Sequence, residues 1–117
     1  MNSITEIASR LTSLCNEHKF IEAYTELFAD EAVSIDPIYK NEPLKGLPGL
    51  IEREKEFMES ATVNEIRMSA PLFSGSYFSF VMYLSFTPVG KPARNIEELC
   101  VYRVEDGKII SQQFFIG

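Results

Sequence analysis

Residues 28–46 read FADEAVSIDPIYKNEPLKG, and this stretch is the most informative part of the chain for the fold. It begins at the end of a helical stretch and continues into a brief strand, Ala32–Asp36. Pro37 stops the strand, because proline has no N–H to donate to a ladder. A loop follows over Ile38–Lys45, and residues 46–49 (GLPG) lead into another helix, since proline suits a first helical turn. The stretch predicts a strand that ends in an aspartate between two helices.

Two further helices are predicted upstream. Apolar residues recur at helical spacing from Ser3 to Asn16, and Ser3 followed by Glu6 resembles a capping box. A second helical stretch covers Phe20–Phe28. The helix after residue 49 carries five residues on its inner side: Leu50, Ile51, Glu54, Phe57 and Met58.

The rest of the chain reads as strands. Four are predicted: Thr62–Phe73, Tyr77–Thr87, Asn95–Val104 and Lys108–Ile116. The last two are joined by the hairpin signal Asp106-Gly107. Helices followed by a strand meander predict an α+β fold, in which the helices cover one face of a curved antiparallel sheet. We expect residues 1–117 to form a single domain of this kind.

The predicted strand at Tyr77–Phe86 has two faces of unequal polarity. One face is fully apolar, whereas the other, which includes Tyr77, Val81 and Tyr83, is semi-apolar and aromatic. A solvated outer face would carry more charge. The composition is that of an interface, so we expect a homodimer through the convex side of the sheet.

The amino-acid composition and charge of the chain limit the kinds of partner and cofactor that we expect it to bind. The net charge is −6 and the basic residues are scattered, so we expect no nucleic-acid partner. No apolar run reaches the 18 or so residues of a membrane span, and the first residues lack a secretion signal. Cys15 and Cys100 fit no metal spacing. These features predict a cytoplasmic protein with reduced thiols and no cofactor.

The motif in residues 28–46 resembles the cone-shaped, cystatin-like fold of nuclear transport factor 2. Within that superfamily it is most similar to the ketosteroid isomerase and SnoaL-like polyketide cyclase branch, and residues 101–117 (VYRVEDGKIISQQFFIG) resemble the last hairpin of that branch. The resemblance implies three N-terminal helices packed on a curved sheet around one enclosed, mainly apolar pocket. The fold hosts isomerases, cyclases, dehydratases, epoxide hydrolases and non-catalytic modules, so it does not fix an activity.

The resemblance assigns roles to three positions. Asp36 matches the aspartate with which ketosteroid isomerases move a proton on the substrate. Leu11 and Cys100 stand where those enzymes place the tyrosine and the second acid that donate hydrogen bonds to the developing oxyanion. Leu11 cannot donate, a thiol donates weakly, and losing one such donor typically costs on the order of 10²–10³ in rate. Steroid isomerase activity is therefore not expected.

Two carboxylates are candidates for proton transfer. Asp36 at a strand end would face an aromatic pocket and bind its proton more tightly there; the alternative is a turn aspartate that accepts backbone hydrogen bonds. Strand alternation places Glu98 on the same face as Cys100 and Tyr102. Glu98 then either pairs with Asp36 to divide acid and base roles, or lies solvated at the pocket mouth.

Two tyrosines offer a replacement phenol donor. Tyr24 lies on the inner side of the second helix, and Tyr39 lies in the loop at the pocket rim. Each is either a hydrogen-bond donor to a ligand or a packing residue. Gln112, an amide on an otherwise apolar face, either orients a ligand or bonds a neighbouring strand.

These expectations combine into one leading hypothesis. A small hydrophobic molecule binds in a pocket lined by Leu11, Tyr24, Phe28, Phe57, Phe80, Met82, Cys100, Gln112 and Phe114. Asp36 acts as general base or acid on a carbon next to a carbonyl, in a cofactor-independent isomerase, cyclase or dehydratase. Two alternatives stay open: a binding module without turnover, and a structural dimer whose pocket is filled by its own side chains.

Overall fold

The computed structural model describes residues 3–117, which form three α-helices and seven strands. The helices are α1 (Ile4–Asn16), α2 (Phe20–Leu27) and α3 (Leu47–Ser60). The strands are β1 (Phe28–Ile35), β2 (Leu44–Lys45), β3 (Ala61–Met68), β4 (Leu72–Ser74), β5 (Tyr77–Pro88), β6 (Arg94–Glu105) and β7 (Lys108–Phe115). A short 3₁₀ turn, Pro37–Tyr39, follows β1.

The predicted helices are confirmed almost to the residue. The capping box opens α1, because Ser3 Oγ accepts a hydrogen bond from the Glu6 N–H at 3.1 Å and Glu6 Oε1 accepts one from the Ser3 N–H at 3.2 Å. The helix α2 ends one residue before the predicted Phe28, whose backbone is already extended. A bidentate contact from Arg10 to Glu26, 2.7 Å at its shorter bond, ties α1 to α2.

The strands differ from the prediction in three places. The first strand begins at Phe28 rather than Ala32, since the exposed Asp30 and Glu31 hide its pattern in the sequence. Part of the predicted loop over Ile38–Lys45 forms the two-residue β2, which pairs with β1. The predicted strand Thr62–Phe73 is two strands, β3 and β4, because residues 69–71 around Pro71 leave the ladder.

The strands form one seven-stranded sheet in the order β2-β1-β7-β6-β5-β3, with β4 also paired to β5. All pairs are antiparallel except β1 with β7, which is parallel and corrects the purely antiparallel sheet of the prediction. Register shifts in β3 and in the β6–β7 ladder mark bulges, which bend strands and increase their twist. The predicted α+β class, with three helices against a curved and mainly antiparallel sheet, is confirmed.

The two faces of the sheet differ as the alternation predicts. On β5, Phe78, Phe80, Leu84 and Phe86 are buried under the helices, whereas Tyr77 and Val81 are exposed. The register places Val81 opposite Leu99, and Leu99 opposite Phe115. With Leu72, which is 75% exposed, these residues form an apolar patch on the convex face, here called the outer patch: Leu72, Val81, Leu99 and Phe115.

The core fills only part of the space between helices and sheet. Helical residues including Ile7, Leu14 and Leu27 pack there with a group of inner-face aromatics. Phe78 and Tyr102 stack at the centre of this group, with ring centroids 4.9 Å apart. Farther along β5 and β6, the inner face lines a cavity instead. Within residues 3–117, no helix has the length and apolar character to cross a membrane.

Candidate functional site

A cavity of about 320 Å³ lies between the three helices and the inner face of the sheet. Side chains from α1, α2 and α3 form one wall, and residues of β5, β6 and β7 form the other. Four exposed residues border it at one end: Ile38, Tyr39, Ser60 and Arg94. The cavity is therefore open at this end, which corrects the enclosed pocket that the resemblance implies.

Most of the predicted pocket residues line this cavity. They are Leu11, Tyr24, Phe28, Phe57, Met82, Gln112 and Phe114. Phe80 and Cys100 do not, and their assignment to the lining is corrected. Phe80 packs against Tyr102 with ring centroids 5.3 Å apart, and Cys100 is completely buried in the same aromatic core. Both lie on the inner face, but in the part of the sheet that the core covers.

Glu98 is buried and faces the cavity from β6. The residue is only 6% exposed, and its Oε2 has no hydrogen-bond partner among residues 3–117. The alternative in which Glu98 lies solvated at the mouth is therefore wrong. Burial, with smaller contributions from the charges of Asp36 and Glu54, raises the pKa of Glu98 to about 7.

Asp36 is both a turn residue that accepts a backbone hydrogen bond and a residue that lines the cavity, the two alternatives that the sequence left open. Its Oδ1 accepts a 2.9 Å hydrogen bond from the Ile38 N–H and so starts the 3₁₀ turn after β1. The same side chain lines the cavity. Burial raises the pKa of Asp36, while the Ile38 N–H and the Arg53 charge act in the opposite direction.

Glu54 is a third carboxyl in the cavity that the sequence did not single out as a site residue. It projects from α3 between Leu50 and Phe57, which line the same cavity. Burial raises the pKa of Glu54 to about 7. The sequence did contain a signal for Glu54, namely a charged residue on the inner side of a helix. Such a residue destabilises the fold unless its charge is paired or has a function.

Arg53 is a basic residue that lines the same cavity as these acids. Its Nη2 donates a 3.0 Å hydrogen bond to Ser34 Oγ, and its guanidinium lies 4.2 Å from the centroid of the Tyr39 ring. Tyr39 is 39% exposed, so it forms part of the rim. The sequence missed both Arg53 and the completely buried Ser34.

A short chain of polar groups runs across the floor of the cavity. Gln112 Nε2 donates to Tyr24 Oη at 2.8 Å and to Ser34 Oγ at 3.0 Å. Gln112 thus bonds the neighbouring strand, as one of its two interpretations required, and it also lines the cavity. Burial raises the pKa of Tyr24 well above its usual range, so the phenol keeps its proton. Tyr102, which the sequence did not predict as a lining residue, completes this floor.

The arrangement suits proton transfer. Three carboxyls from separate elements share one cavity with a protonated phenol, and two of the carboxyls have pKa values near neutrality. Carboxyls in different surroundings can divide acid and base roles. Within residues 3–117, no three His, Cys, Asp or Glu side chains are grouped in a way that could hold a metal ion.

Solved structures with the same fold cover nearly the whole chain. A proposed SnoaL-like polyketide cyclase from Mesorhizobium loti superposes with a TM-score of 0.87 at 23% identity, over 97% of this chain and 99% of that one. A protein with a ketosteroid isomerase-like fold from Catenulispora acidiphila, solved in complex with trimethylamine, gives a TM-score of 0.80 at 14% identity, over 98% of this chain and 88% of that one. A protein of unknown function with a cystatin-like fold from Xanthomonas campestris gives 0.80 at 17% identity, over 100% and 92%.

These identities are low enough that the structures establish the fold alone. No curated protein matches the chain significantly. The sequence profile of the SnoaL-like domain matches residues 2–116, almost the full length. The resemblance drawn from residues 28–46 and 101–117 is thereby confirmed, and the chain belongs to the SnoaL-like domain family.

Proposed function

We propose that this protein binds a small, mainly apolar molecule in the cavity and moves a proton on it with the cavity carboxyls. One observation carries the proposal: Glu98 is buried in the same cavity as Asp36, and its Oε2 has no hydrogen-bond partner within residues 3–117. An unpaired buried carboxyl lowers the stability of the fold, so its presence in a cleft favours a chemical role.

The two carboxyls suit different roles. The Ile38 N–H favours the ionised form of Asp36, which therefore acts as the base that takes a proton from carbon. In the described part of the chain no group donates a hydrogen bond to Glu98 Oε2, and with its pKa near 7 Glu98 keeps a proton for donation in a large fraction of molecules. This division is a general way to run acid and base chemistry in one site.

Tyr24 supplies the donor that Leu11 cannot. Gln112 donates to Tyr24 Oη, so the hydroxyl hydrogen of Tyr24 is left for a ligand oxygen. Proton removal next to a carbonyl places negative charge on that oxygen, and a positioned donor stabilises it. We therefore propose that the protein catalyses a cofactor-independent isomerisation or cyclisation, as its similarity to the ketosteroid isomerase and SnoaL-like polyketide cyclase branch suggests. The steroid isomerase reaction itself is not proposed.

A non-catalytic binding module with the same cavity is the second candidate. The cavity lining supports it equally, because most of its surface is apolar and aromatic. The third interpretation, a cavity filled by the chain's own side chains, has lost its support, since about 320 Å³ are open within the described residues.

The outer patch supports a homodimer as the working unit. Leu72, Val81, Leu99 and Phe115 are each at least 39% exposed and adjoin across the four strands β4, β5, β6 and β7. Contiguous apolar surface of this kind favours association. We propose that a second copy of the chain covers this face.

The catalytic claim can be tested by proton exchange. We would incubate the protein with a panel of small cyclic ketones in D₂O and follow deuterium incorporation at the α-carbon by NMR. Wild-type protein should accelerate exchange of at least one ketone, and Asp36→Asn should lower that rate about 10²–10³-fold with ligand affinity unchanged.

The exposed Glu97 next to Glu98 offers a matched control. Glu97→Gln should exchange ketones at the wild-type rate, because Glu97 lies on the opposite face of β6. If a ketone binds but its deuterium exchange is no faster than in buffer alone, the protein is a binding module and the catalytic proposal is wrong.

A further inference from the structure

We propose that the molecule bound in this cavity carries one protonated amine, which Glu98 receives as a hydrogen-bond acceptor while Asp36 and Glu54 add negative potential. This inference rests on the claim of the proposed function that the cavity takes up a small molecule. It concerns the ionised form of Glu98, which accepts a hydrogen bond from an ammonium group, whereas the protonated form is the proton donor of the proposed function. Three observations carry it: the balance of charge around the cavity, the unpaired Glu98 oxygen and the aromatic walls.

The balance of charge around the cavity is negative, because three carboxyls line it and the two arginines Arg53 and Arg94 compensate them only in part. Asp36 follows β1, Glu54 lies on α3 and Glu98 lies on β6, so three separate elements direct acids to one space. None of the three forms an ion pair within residues 3–117. A cation inside the cavity would relieve the repulsion between them.

The two arginines that border the cavity do not fill this role. Arg53 is bound to Ser34 and lies over the Tyr39 ring. Arg94 is exposed at the open end, where its guanidinium lies 5.7 Å from the centroid of the Phe86 ring. Neither arginine forms an ion pair with a cavity carboxyl within residues 3–117.

Glu98 Oε2 is the acceptor that most needs a ligand. It is buried, it has no hydrogen-bond partner in the described part of the chain, and the residue faces the cavity. An ammonium N–H gives this oxygen a charge-assisted hydrogen bond, the strong kind. A ketone or ether has no donor to offer and would leave an ionised Glu98 unpaired.

The walls fit the rest of such a molecule. Eight aromatic side chains line the cavity: Phe20, Tyr24, Phe28, Tyr39, Phe57, Phe86, Tyr102 and Phe114. Aromatic faces attract cations, most strongly where water is excluded, and they also pack against an apolar body. At about 320 Å³ the cavity is at the small end of ligand sites, which span roughly 300–1,000 Å³. The expected ligand is therefore a compact amine.

The charge state of the site predicts the pH dependence of binding. Cation binding requires ionised carboxyls, so affinity should be full above pH 8 and fall about 30-fold by pH 5.5, as Glu98 takes up its proton. The charged groups facing Glu98 are Asp36, Glu54, Arg53 and, at the open end, Arg94. Other titratable groups near the cavity titrate in the alkaline range, because burial raises their pKa: Cys15, Tyr24, Tyr39, Cys100 and Tyr102.

Matched amine and alcohol pairs test the proposal. Calorimetry at pH 8 would compare 2-phenylethylamine with 2-phenylethanol, and cyclohexylmethylamine with cyclohexylmethanol. The two members of a pair share the same apolar body. They differ only in the head group, which is charged in the amine and neutral in the alcohol. We expect the amine of at least one pair to bind 10-fold or more tightly than its alcohol, and to lose this preference at pH 5.5.

Variants locate the preference in the cavity. Glu98→Gln should remove most of the amine preference, and Glu54→Gln should reduce it, while Glu97→Gln on the outer face keeps it. Alcohols that bind as tightly as the amines at pH 8 would overturn the amine inference and leave the proposed function intact. If neither member of either pair binds, and no ketone binds either, the proposed function falls together with the inference.

Discussion

The side-chain amide of Gln112 on β7 donates a 2.8 Å hydrogen bond to the phenol oxygen of Tyr24 on α2, 88 residues earlier in the chain. This contact joins the sheet to the helical layer inside the cavity. It uses the acceptor capacity of Tyr24 and leaves its proton for a ligand.

The first prediction concerns this phenol. Tyr24→Phe should lower the rate of ketone α-exchange about 10²–10³-fold, because one donor to the developing oxyanion is lost. Removing the Gln112 contact should also lower the free energy of unfolding by about 1 kcal/mol. Tyr39→Phe at the rim is the control and should change the rate little. Equal rates in the two variants would remove Tyr24 from the proposed mechanism.

The second prediction concerns the free energy of unfolding, which the buried Glu98 should lower. Glu98→Leu replaces an unpaired buried carboxyl with an apolar side chain, so it should raise the free energy of unfolding by about 1–3 kcal/mol at pH 8. The same variant should lose α-exchange. Chemical denaturation measures the first effect, with Glu97→Leu as the exposed control. A destabilised Glu98→Leu would mean that Glu98 has a stabilising partner in the folded protein.

The third prediction follows from proton linkage. The pKa of Glu98 and of Glu54 is about 7 in the folded protein, above the value of 4.5 for the free side chain. The folded state therefore binds more protons between these values, and its stability should fall as the pH rises from about 4.5 to 7 and then level off. Urea denaturation at pH 5 and pH 8 should show this loss, and Glu98→Gln should reduce it by about 1–3 kcal/mol. An unchanged pH dependence in Glu98→Gln would contradict the assignment.

The fourth prediction concerns the outer patch. Leu99 lies between Val81 and Phe115 in the ladder, so Leu99→Glu puts a charge at the centre of the patch. Native mass spectrometry should find wild-type dimers at micromolar concentration and Leu99→Glu monomers. Val89→Glu, at a 76% exposed turn position outside the patch, is the control and should stay dimeric. A monomeric wild-type chain would contradict the interface.

The sequence correctly predicts which face of each strand points inward. It does not predict which inward residues lie in the packed core and which line the cavity. Period-two alternation correctly places Phe80, Met82, Glu98 and Cys100 on the inner face. Only Met82 and Glu98 reach the cavity, because the aromatic core covers the sheet at Phe80 and Cys100. Where the core ends depends on the packing of helices against strands, which no local pattern encodes.

The same limit explains the residues that the sequence missed. Helical spacing places Glu54 on the inner side of α3, yet its role depends on acids that lie 18 and 44 positions away, Asp36 and Glu98. The start of β1 escaped prediction because a register shift separates the pairing of Phe28 with β7 from that of Val33, and the exposed Asp30 and Glu31 between them break the strand alternation. By contrast, the Asp-Pro stop after β1 and the capping box are local signals, and both are present in the structure.

The most direct test is a titration of the Glu98 side-chain carboxyl by ¹³C NMR, with its resonance assigned by its loss in Glu98→Gln. This acid is buried, its Oε2 has no partner among residues 3–117, and it faces a cavity shared with two other acids, so it should titrate with a midpoint near pH 7. A midpoint near 4.5, the value of a freely solvated glutamate, would contradict the account.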